Sequence, residues 1–149
     1  MKRFSSLLIT VMMIVVLLSC KDDDSLSPEE KAAKSIQGTW TVGGGGHVIV
    51  DDANHTADYS NFSITFDQTT DGQLLYTVKN GGYAFHNINV DTWSFGDSQY
   101  KSIVRGQDQV NMLFSTADEK LTLNFSIADN AGRLKGMFGD FEIVLIKKN

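Results

Sequence analysis

Cysteine and proline are almost absent from this sequence, which has one of each in 149 residues. A single cysteine cannot form an intrachain disulfide, so a folded domain in this chain must be stabilised by burial of its core. The sole proline, Pro28, lies early in the chain, and residues 29–149 contain none that would interrupt a strand. Thr, Asn, Asp and aromatic residues are frequent and glycine occurs 13 times, a composition typical of β-strands joined by tight turns.

Basic residues are outnumbered throughout the chain. There are 13 Lys and Arg against 18 Asp and Glu, and two of the basic residues but none of the acidic ones lie in residues 1–19. The remainder therefore has 11 basic and 18 acidic residues, a net charge of −7. Nucleic-acid binding needs clustered Lys and Arg, so we expect no nucleic-acid partner. The same charge disfavours adsorption to anionic lipid.

The residue spacings of known metal sites are also missing. The three histidines, His47, His55 and His86, show neither HxH nor HExxH spacing. Oxygen ligands crowd the segment around the second histidine: Asp51, Asp52, Asn54 and Asp58. Their spacing matches no EF-hand, so we expect an exposed acidic loop there rather than a Ca²⁺ site, and we expect no metal or other cofactor.

The sequence also lacks the motifs of nucleophilic catalysis and of phosphate binding. No serine lies in a GxSxG elbow, and no particular pair of carboxylates suggests glycoside hydrolysis. The glycine run Gly43–Gly46 lacks the Lys-Ser/Thr of a P-loop and precedes a strand pattern, not a helix. We expect it to form a bend or bulge between two strand halves, or a surface loop. The sequence predicts a protein that is not an enzyme.

The first nineteen residues have the pattern of a secretory signal peptide. Lys2 and Arg3 precede an apolar run from Leu7 to Leu18, interrupted only by Thr10. The run is shorter than the roughly 20 residues that a membrane-spanning helix needs. The residues Leu17-Leu18-Ser19-Cys20 resemble the lipobox read by bacterial lipoprotein signal peptidase, although Leu18 is bulkier than usual.

This resemblance implies cleavage before Cys20 and lipidation of that residue. Its thiol would carry diacylglycerol and its freed amine a third acyl chain such as palmitate, and two or more chains anchor a protein stably. The following Lys21-Asp22-Asp23-Asp24 resembles the lipoprotein export signal of Bacteroidetes-type bacteria. That signal implies an outer-membrane lipoprotein displayed on the cell surface. The alternatives are a periplasm-facing anchor and an acidic run that is only the start of a linker.

Residues 20–35 are interpreted as the lipidated linker and a short helix. Ser27 suits the N-cap, Pro28 the first helical position and Glu30 the third, which together predict a capping box and a helix ending near Ile36. Residues 36–149 are then assigned to one β-domain.

From Gly38 onward the apolar period is two. Residues Leu121–Ile127 alternate strictly, and Phe62, Ile64 and Phe66 alternate with polar neighbours. Further strands are predicted at 38–42, 47–51, 73–79, 92–96, 100–106, 109–115 and 141–147. Turns are predicted at Asp71-Gly72, Asn80-Gly81-Gly82, Gly96-Asp97, Ala117-Asp118-Glu119 and Asp129–Gly132. Eight or nine antiparallel strands with short links predict an all-β up-and-down barrel or a sandwich.

The start of this domain resembles that of lipocalins, in which a short helix precedes a Gly-Xaa-Trp tryptophan that packs at the barrel base. Here the helix is followed by Gly38-Thr39-Trp40. The segments Asp58–Phe66, Asn80–Phe85 and Thr92-Trp93-Ser94-Phe95 extend the similarity to small lipocalin-like lipoproteins of Bacteroidetes-type bacteria whose function is unknown. The resemblance implies a barrel with Gly38, Trp40 and Trp93 packed at its base.

Two features depart from true lipocalins. There is no Arg matched to the one that covers the tryptophan, and the sequence ends at a strand rather than a helix. The resemblance therefore implies a fold more securely than transport of an apolar ligand.

Alternation also predicts which side chains face inward, and most are large. An eight-stranded barrel is only wide enough to be filled by side chains or to hold one small ligand, so we expect a filled lumen. The predicted inward residues are Trp40, Phe62, Ile64, Phe66, Tyr76, Trp93, Phe95, Met112, Phe114, Leu121, Leu123, Phe125, Phe141, Ile143 and Leu145.

These patterns favour a monomeric, membrane-anchored binding or accessory module with a glycan or protein partner. Four aromatic residues in predicted loops, Tyr59, Tyr83, Phe85 and Tyr100, are candidates for exposed contact residues. The alternative is that they plug the barrel mouth. A second hypothesis is a carrier that holds a small hydrophobic ligand inside the barrel.

Overall fold

A computed structural model of the protein describes residues 26–85, 88–128 and 138–148. The predicted signal peptide, the lipidation site Cys20, the export signal Lys21–Asp24, His86 and the turn at 129–132 lie outside these residues. No helix in the described part is long and apolar enough to cross a membrane.

Within that part, one helix precedes ten strands. They are α1 (Pro28–Ile36), β1 (Gly38–Thr41), β2 (His47–Val50), β3 (Ala53–Asn54), β4 (Ser63–Gln68), β5 (Leu74–Lys79), β6 (Val90–Phe95), β7 (Ser102–Arg105), β8 (Asn111–Ala117), β9 (Lys120–Ile127) and β10 (Gly139–Lys147).

Eight of these strands close into an antiparallel barrel. Strands β4 to β10 pair in chain order, and β1 closes the barrel because Trp40 lies opposite Ile64 of β4 and Lys147 of β10. The two extra strands, β2 and β3, continue from β10 as a hairpin. The predicted all-β, lipocalin-like barrel with a short N-terminal helix is confirmed, and the sandwich alternative is wrong.

The helix begins as the sequence predicts. The Ser27 hydroxyl accepts a hydrogen bond from the Glu30 backbone N–H at 3.2 Å, and the Glu30 carboxylate accepts one from the Ser27 N–H at 2.8 Å. Both halves of the capping box satisfy N–H groups that have no partner within the helix. The helix ends at Ile36, whose carbonyl accepts the indole N–H of Trp40 at 2.7 Å. This bond ties the helix to the first barrel strand.

The glycine run forms the predicted bulge between two strand halves. Thr41 lies opposite Ile146 and His47 lies opposite Val144, so residues 42–46 face the single residue Leu145 of β10. This bulge, residues 42–46, is closed by a hydrogen bond from the Gly46 N–H to the Val42 carbonyl at 3.0 Å. β1 and β2 are therefore one interrupted strand along β10.

Because neighbouring strands are antiparallel, the connections alternate between two ends of the barrel. We call the base the end that carries α1 and the connections 69–73, 96–101 and 118–119. The mouth is the opposite end, where the connections that follow β1, β5, β7 and β9 begin. The first mouth connection, 42–62, carries the β2–β3 hairpin.

The lumen contains the large side chains that alternation assigned to it. All fifteen predicted inward residues belong to the core or pack against it, with Phe95 and Phe114 only partly buried. The prediction omitted Ser102, Ile103 and Arg105 of β7, which are also buried. Trp40, Tyr76, Phe62 and Phe66 are among the largest fully buried side chains, which leaves little room between the walls.

The β8–β9 hairpin contains an energetically costly turn that a substitution is expected to relieve. Asp118 and Glu119 both have positive φ, 49° and 60°, as in a type I′ turn. Because glycine adopts this conformation without the steric cost of a Cβ, Glu119→Gly is expected to raise the free energy of unfolding by about 0.5–1 kcal/mol. Urea denaturation of the two proteins measures the change. Lys120→Gly, one residue further into the strand, should instead destabilise by about 0.5–1 kcal/mol, and a lower midpoint for Glu119→Gly would contradict the turn assignment.

Candidate functional site: the mouth of the barrel

Three of the four predicted contact residues lie at the mouth, and one does not. Tyr83 is 50% exposed, whereas Tyr59 and Phe85 are only 5% and 2% exposed. The expected exposure of Tyr59 and Phe85 is therefore wrong, and the alternative of a plug describes them. Tyr100 lies at the base, half-buried, where its ring packs edge-on against Phe95 at 5.0 Å.

Phe85 is buried because its segment turns back into the lumen. Its N–H donates to the Gly81 carbonyl at 3.2 Å, and its ring stacks on Phe62 with centroids 5.5 Å apart. Edge-on contacts with Phe125 at 5.9 Å and Tyr76 at 6.2 Å complete its surroundings. We call this aromatic cluster of Phe85, Phe62, Phe125 and Tyr76 the plug, because it closes the lumen just below the mouth.

A buried arginine fixes this plug to the barrel wall. Arg105 of β7 is 1% exposed, and its Nη1 donates to the Ala84 carbonyl at 2.7 Å. Its Nε donates to Asp108 Oδ1 at 2.8 Å and its Nη2 to Asp108 Oδ2, a bidentate ion pair. The guanidinium lies 4.9 Å from the centroid of the Phe85 ring and 5.5 Å from that of Phe125.

Arg105 is not among the predicted inward residues, although its position in the strand indicates an inward side chain. Arg105 has the same parity as Ile103 in β7, so strict alternation places both on the inner face. Its burial is tolerated because the charge is paired and its donors have partners.

Tyr76 adds a second polar group to the lumen. Its hydroxyl donates to Asp91 Oδ2 at 3.1 Å, and that carboxylate also accepts the Gln107 N–H at 2.8 Å. Burial in the barrel raises the pKa of Tyr76 far above its ordinary value, against the opposing effect of the Arg105 charge. The phenol is therefore neutral and serves as a hydrogen-bond donor at physiological pH.

Above the plug, a cleft of about 480 Å³ opens at the mouth. Its aromatic walls are formed by Tyr59, Tyr83, Phe138 and Phe141. The β2–β3 hairpin contributes aliphatic side chains and the loop after it contributes polar ones. We call this space, lined by Val50, Asp51, Ala53, His55, Asp58 and the four aromatic residues, the mouth cleft. Its volume falls in the range of small-molecule sites.

The polar groups of the mouth cleft are held in defined positions. His55 Nδ1 lies 3.0 Å from Asp58 Oδ2, with both side chains largely exposed. Asp51 Oδ1 accepts the N–H of Asp140 at 2.8 Å, which fixes the hairpin against β10. In the described part of the chain, no group of three or more His, Cys, Asp or Glu is placed to hold a metal ion.

A larger hollow of about 960 Å³ borders β8, β9 and β10 and reaches the mouth. Its lining combines outward-facing residues of these strands, such as the exposed Leu113, with the buried Phe125, and it shares Asp51 and Phe141 with the mouth cleft. Two of the described residues that line this hollow are aromatic, Phe125 and Phe141, compared with four in the mouth cleft. The mouth cleft is therefore the better candidate for a ligand site.

At the base, the residues named by the lipocalin resemblance lie in the lower barrel wall and core. Trp40 is buried, and the Lys147 ammonium lies 5.3 Å from the centroid of a Trp40 ring. Gly38 begins β1 with a φ of 110°. The Trp93 indole N–H donates to the Leu75 carbonyl at 3.2 Å, and its ring meets Phe66 edge-on at 6.0 Å.

No protein-family model matches the sequence, and no curated protein matches it either.

Proposed function

We propose that this protein is a non-catalytic lipoprotein of the outer membrane, displayed on the cell surface, that binds a partner molecule at the mouth of its barrel. The observation that carries the proposal is the mouth cleft, which brings four aromatic walls and three polar side chains together in about 480 Å³. Concave sites with mainly apolar walls and few polar groups are typical of ligand pockets.

The position of the helix supports an orientation in which the base of the barrel faces the membrane and the mouth faces away from it. The chain enters the barrel through α1 at the base, so the lipid on Cys20 would tether the base. Five residues lie between Cys20 and Leu26, so the two are six residue steps apart and at most about 22 Å apart when the chain is extended. The mouth, at the opposite end, would then face away from the membrane towards external molecules.

The carrier hypothesis has less support. Phe85, Phe62 and Tyr76 occupy the upper lumen, and Arg105 ties the plug to β7 through Ala84. A ligand inside the barrel would have to displace these groups and leave the guanidinium without its backbone partner.

Protease treatment of intact cells tests the surface display. In a Bacteroidetes-type host we expect external protease to remove the domain from the wild-type protein. A variant with Asp22, Asp23 and Asp24 changed to Ala should be protected until the cells are lysed. Survival of the wild-type domain on intact cells, with digestion only after lysis, would refute surface display.

A thermal-shift screen tests the binding site. The screen should include oligosaccharides, amines and fatty acids, because these separate the mouth-binding and carrier hypotheses. A ligand of the mouth should stabilise the wild type and Tyr100→Ala, which changes an aromatic residue at the base, but not Tyr83→Ala. Co-purification of a fatty acid that is retained by Tyr83→Ala would favour the carrier hypothesis instead.

A further inference from the structure

We infer that the mouth cleft recognises an organic cation, an alkylammonium or quaternary ammonium group carried on a small molecule. The inference rests on the proposed function in one respect, namely that binding takes place at the mouth. It goes beyond that proposal by assigning the chemistry of the ligand.

The aromatic walls provide the first part of the evidence. Phe141 stacks on Phe125 with centroids 5.1 Å apart, and Tyr59 meets Phe62 edge-on at 6.2 Å, so both wall residues are fixed by packing. Tyr83 lines the same cleft with half of its surface exposed. The faces of aromatic rings carry negative charge density, and several rings around one space attract a cation.

The charges of the lining provide the second part. Asp51 and Asp58 lie at the cleft, and no Lys or Arg is among the described residues that line it. The His55 imidazole lies within hydrogen-bond distance of Asp58, with Nδ1 3.0 Å from Oδ2. The buried Arg105 is paired with Asp108 beneath the plug. The cleft therefore has negative potential in addition to its apolar walls.

These two features together select among ligand classes. The carboxylate of a fatty acid would face Asp51 and Asp58 without a cationic partner in the lining. A neutral sugar would stack on the rings and donate hydroxyl hydrogen bonds to the carboxylates, but it would leave their charge unneutralised. An ammonium group with methyl or alkyl substituents uses both the rings and the carboxylates, and the net charge of −7 of residues 20–149, the chain left by the proposed cleavage, favours its approach.

The experiment compares a cation with its neutral isostere. The full-length chain, processed by the expression host and purified in a polyoxyethylene detergent, is titrated with choline and with 3,3-dimethylbutan-1-ol, which has the same shape without the charge. We expect choline to bind at least tenfold more tightly. Its methyl protons should shift upfield in the NMR spectrum because they lie over ring faces, and binding should weaken as salt is added.

Two variants locate the binding. Tyr83→Ala is expected to weaken choline binding about five- to tenfold, and Asp58→Asn about two- to fivefold. Tyr100→Ala, at the base, should leave the affinity unchanged. Circular dichroism of each variant verifies that the barrel is intact.

The outcomes separate the two proposals. Equal affinity for choline and its isostere, an absent upfield shift, or an unchanged affinity in Tyr83→Ala would each overturn the inference of a cation site. If maltotriose or another neutral ligand binds and loses affinity in Tyr83→Ala, the cation inference fails while binding at the mouth stands. If choline binds equally well to Tyr83→Ala and is lost in Tyr100→Ala, both proposals fail.

Discussion

Replacing Asp108 with Ala is expected to lower the free energy of unfolding by about 3–5 kcal/mol. Asp108 is the ion-pair partner of Arg105, whose side chain is 1% exposed. Without the carboxylate, the guanidinium would remain in the lumen with only the Ala84 carbonyl and two aromatic rings as partners. A buried charge that loses its counter-ion costs more than the pair itself contributes, because the desolvation of the charge is no longer offset.

The companion variants separate desolvation from loss of contact. The double variant Arg105→Met/Asp108→Ala removes both charges and keeps much of the buried volume, so it should recover most of the stability lost by Asp108→Ala. Glu142→Ala removes a half-exposed carboxylate that lies 3.4 Å from His47 on the outer face. This control should change the free energy of unfolding by less than about 0.5 kcal/mol.

Urea denaturation measures the global effect, and hydrogen exchange locates it. The amide of Phe85, bonded to the Gly81 carbonyl, should lose protection in Asp108→Ala before the amides of β9 do. Equal stability of the wild type and Asp108→Ala would show that Arg105 reaches solvent when unpaired and does not hold the plug.

Much of the fold was predictable because local rules and tertiary packing agree in this chain. Ser27, Pro28 and Glu30 form the capping box that their spacing predicts. Residues 121–127 alternate strictly and lie in a strand paired on both sides, so the side chains that face inward follow from parity alone. The hairpin links then leave few topologies other than an up-and-down barrel.

The candidate site was less predictable because it is assembled from separate mouth connections. Tyr59 comes from the connection before β4, Tyr83 from the one after β5, and Phe138 from the residues before β10. No local pattern tells whether such a loop aromatic points outward or into the lumen, and the structure shows one of each in Tyr83 and Phe85. The two-residue strand β3 was likewise too short to produce an alternation signal.

The burial of Arg105 was hard to predict from the sequence for a different reason. Its parity with Ile103 predicts an inward position, but an inward arginine conflicts with the cost of burying a charge. The conflict is resolved by Asp108, three residues later, and by the Ala84 carbonyl, 21 residues away in the sequence. The sequence shows the nearby partner, Asp108, but it does not show that the Ala84 carbonyl lies beside the guanidinium.

The glycine run provides the second large effect, because its four residues are not equivalent. Gly46→Ala is expected to destabilise the protein by about 3 kcal/mol, the upper end of the usual cost of overpacking. An added Cβ would collide with the Val144 carbonyl oxygen and lie 2.8 Å from that of Val42. Both atoms are backbone, so relief requires the strands themselves to move. Gly43→Ala, where the nearest atom is the Thr41 hydroxyl oxygen at 3.7 Å, should change the stability by less than about 0.5 kcal/mol.

The pair of variants also tests whether the bulge positions the mouth. Gly46 joins the bulge to β2, and β2 leads to Val50 and Asp51 at the mouth cleft. If the collision is relieved by separating β2 from β10, the Gly46→Ala variant should lose amide protection at His47 and bind a ligand of the mouth cleft more weakly. The Gly43→Ala variant should keep both the amide protection and the affinity. Equal urea midpoints for the two variants would mean that the run tolerates side chains throughout. In that case the register offset between β1 and β2 would not depend on glycine at position 46.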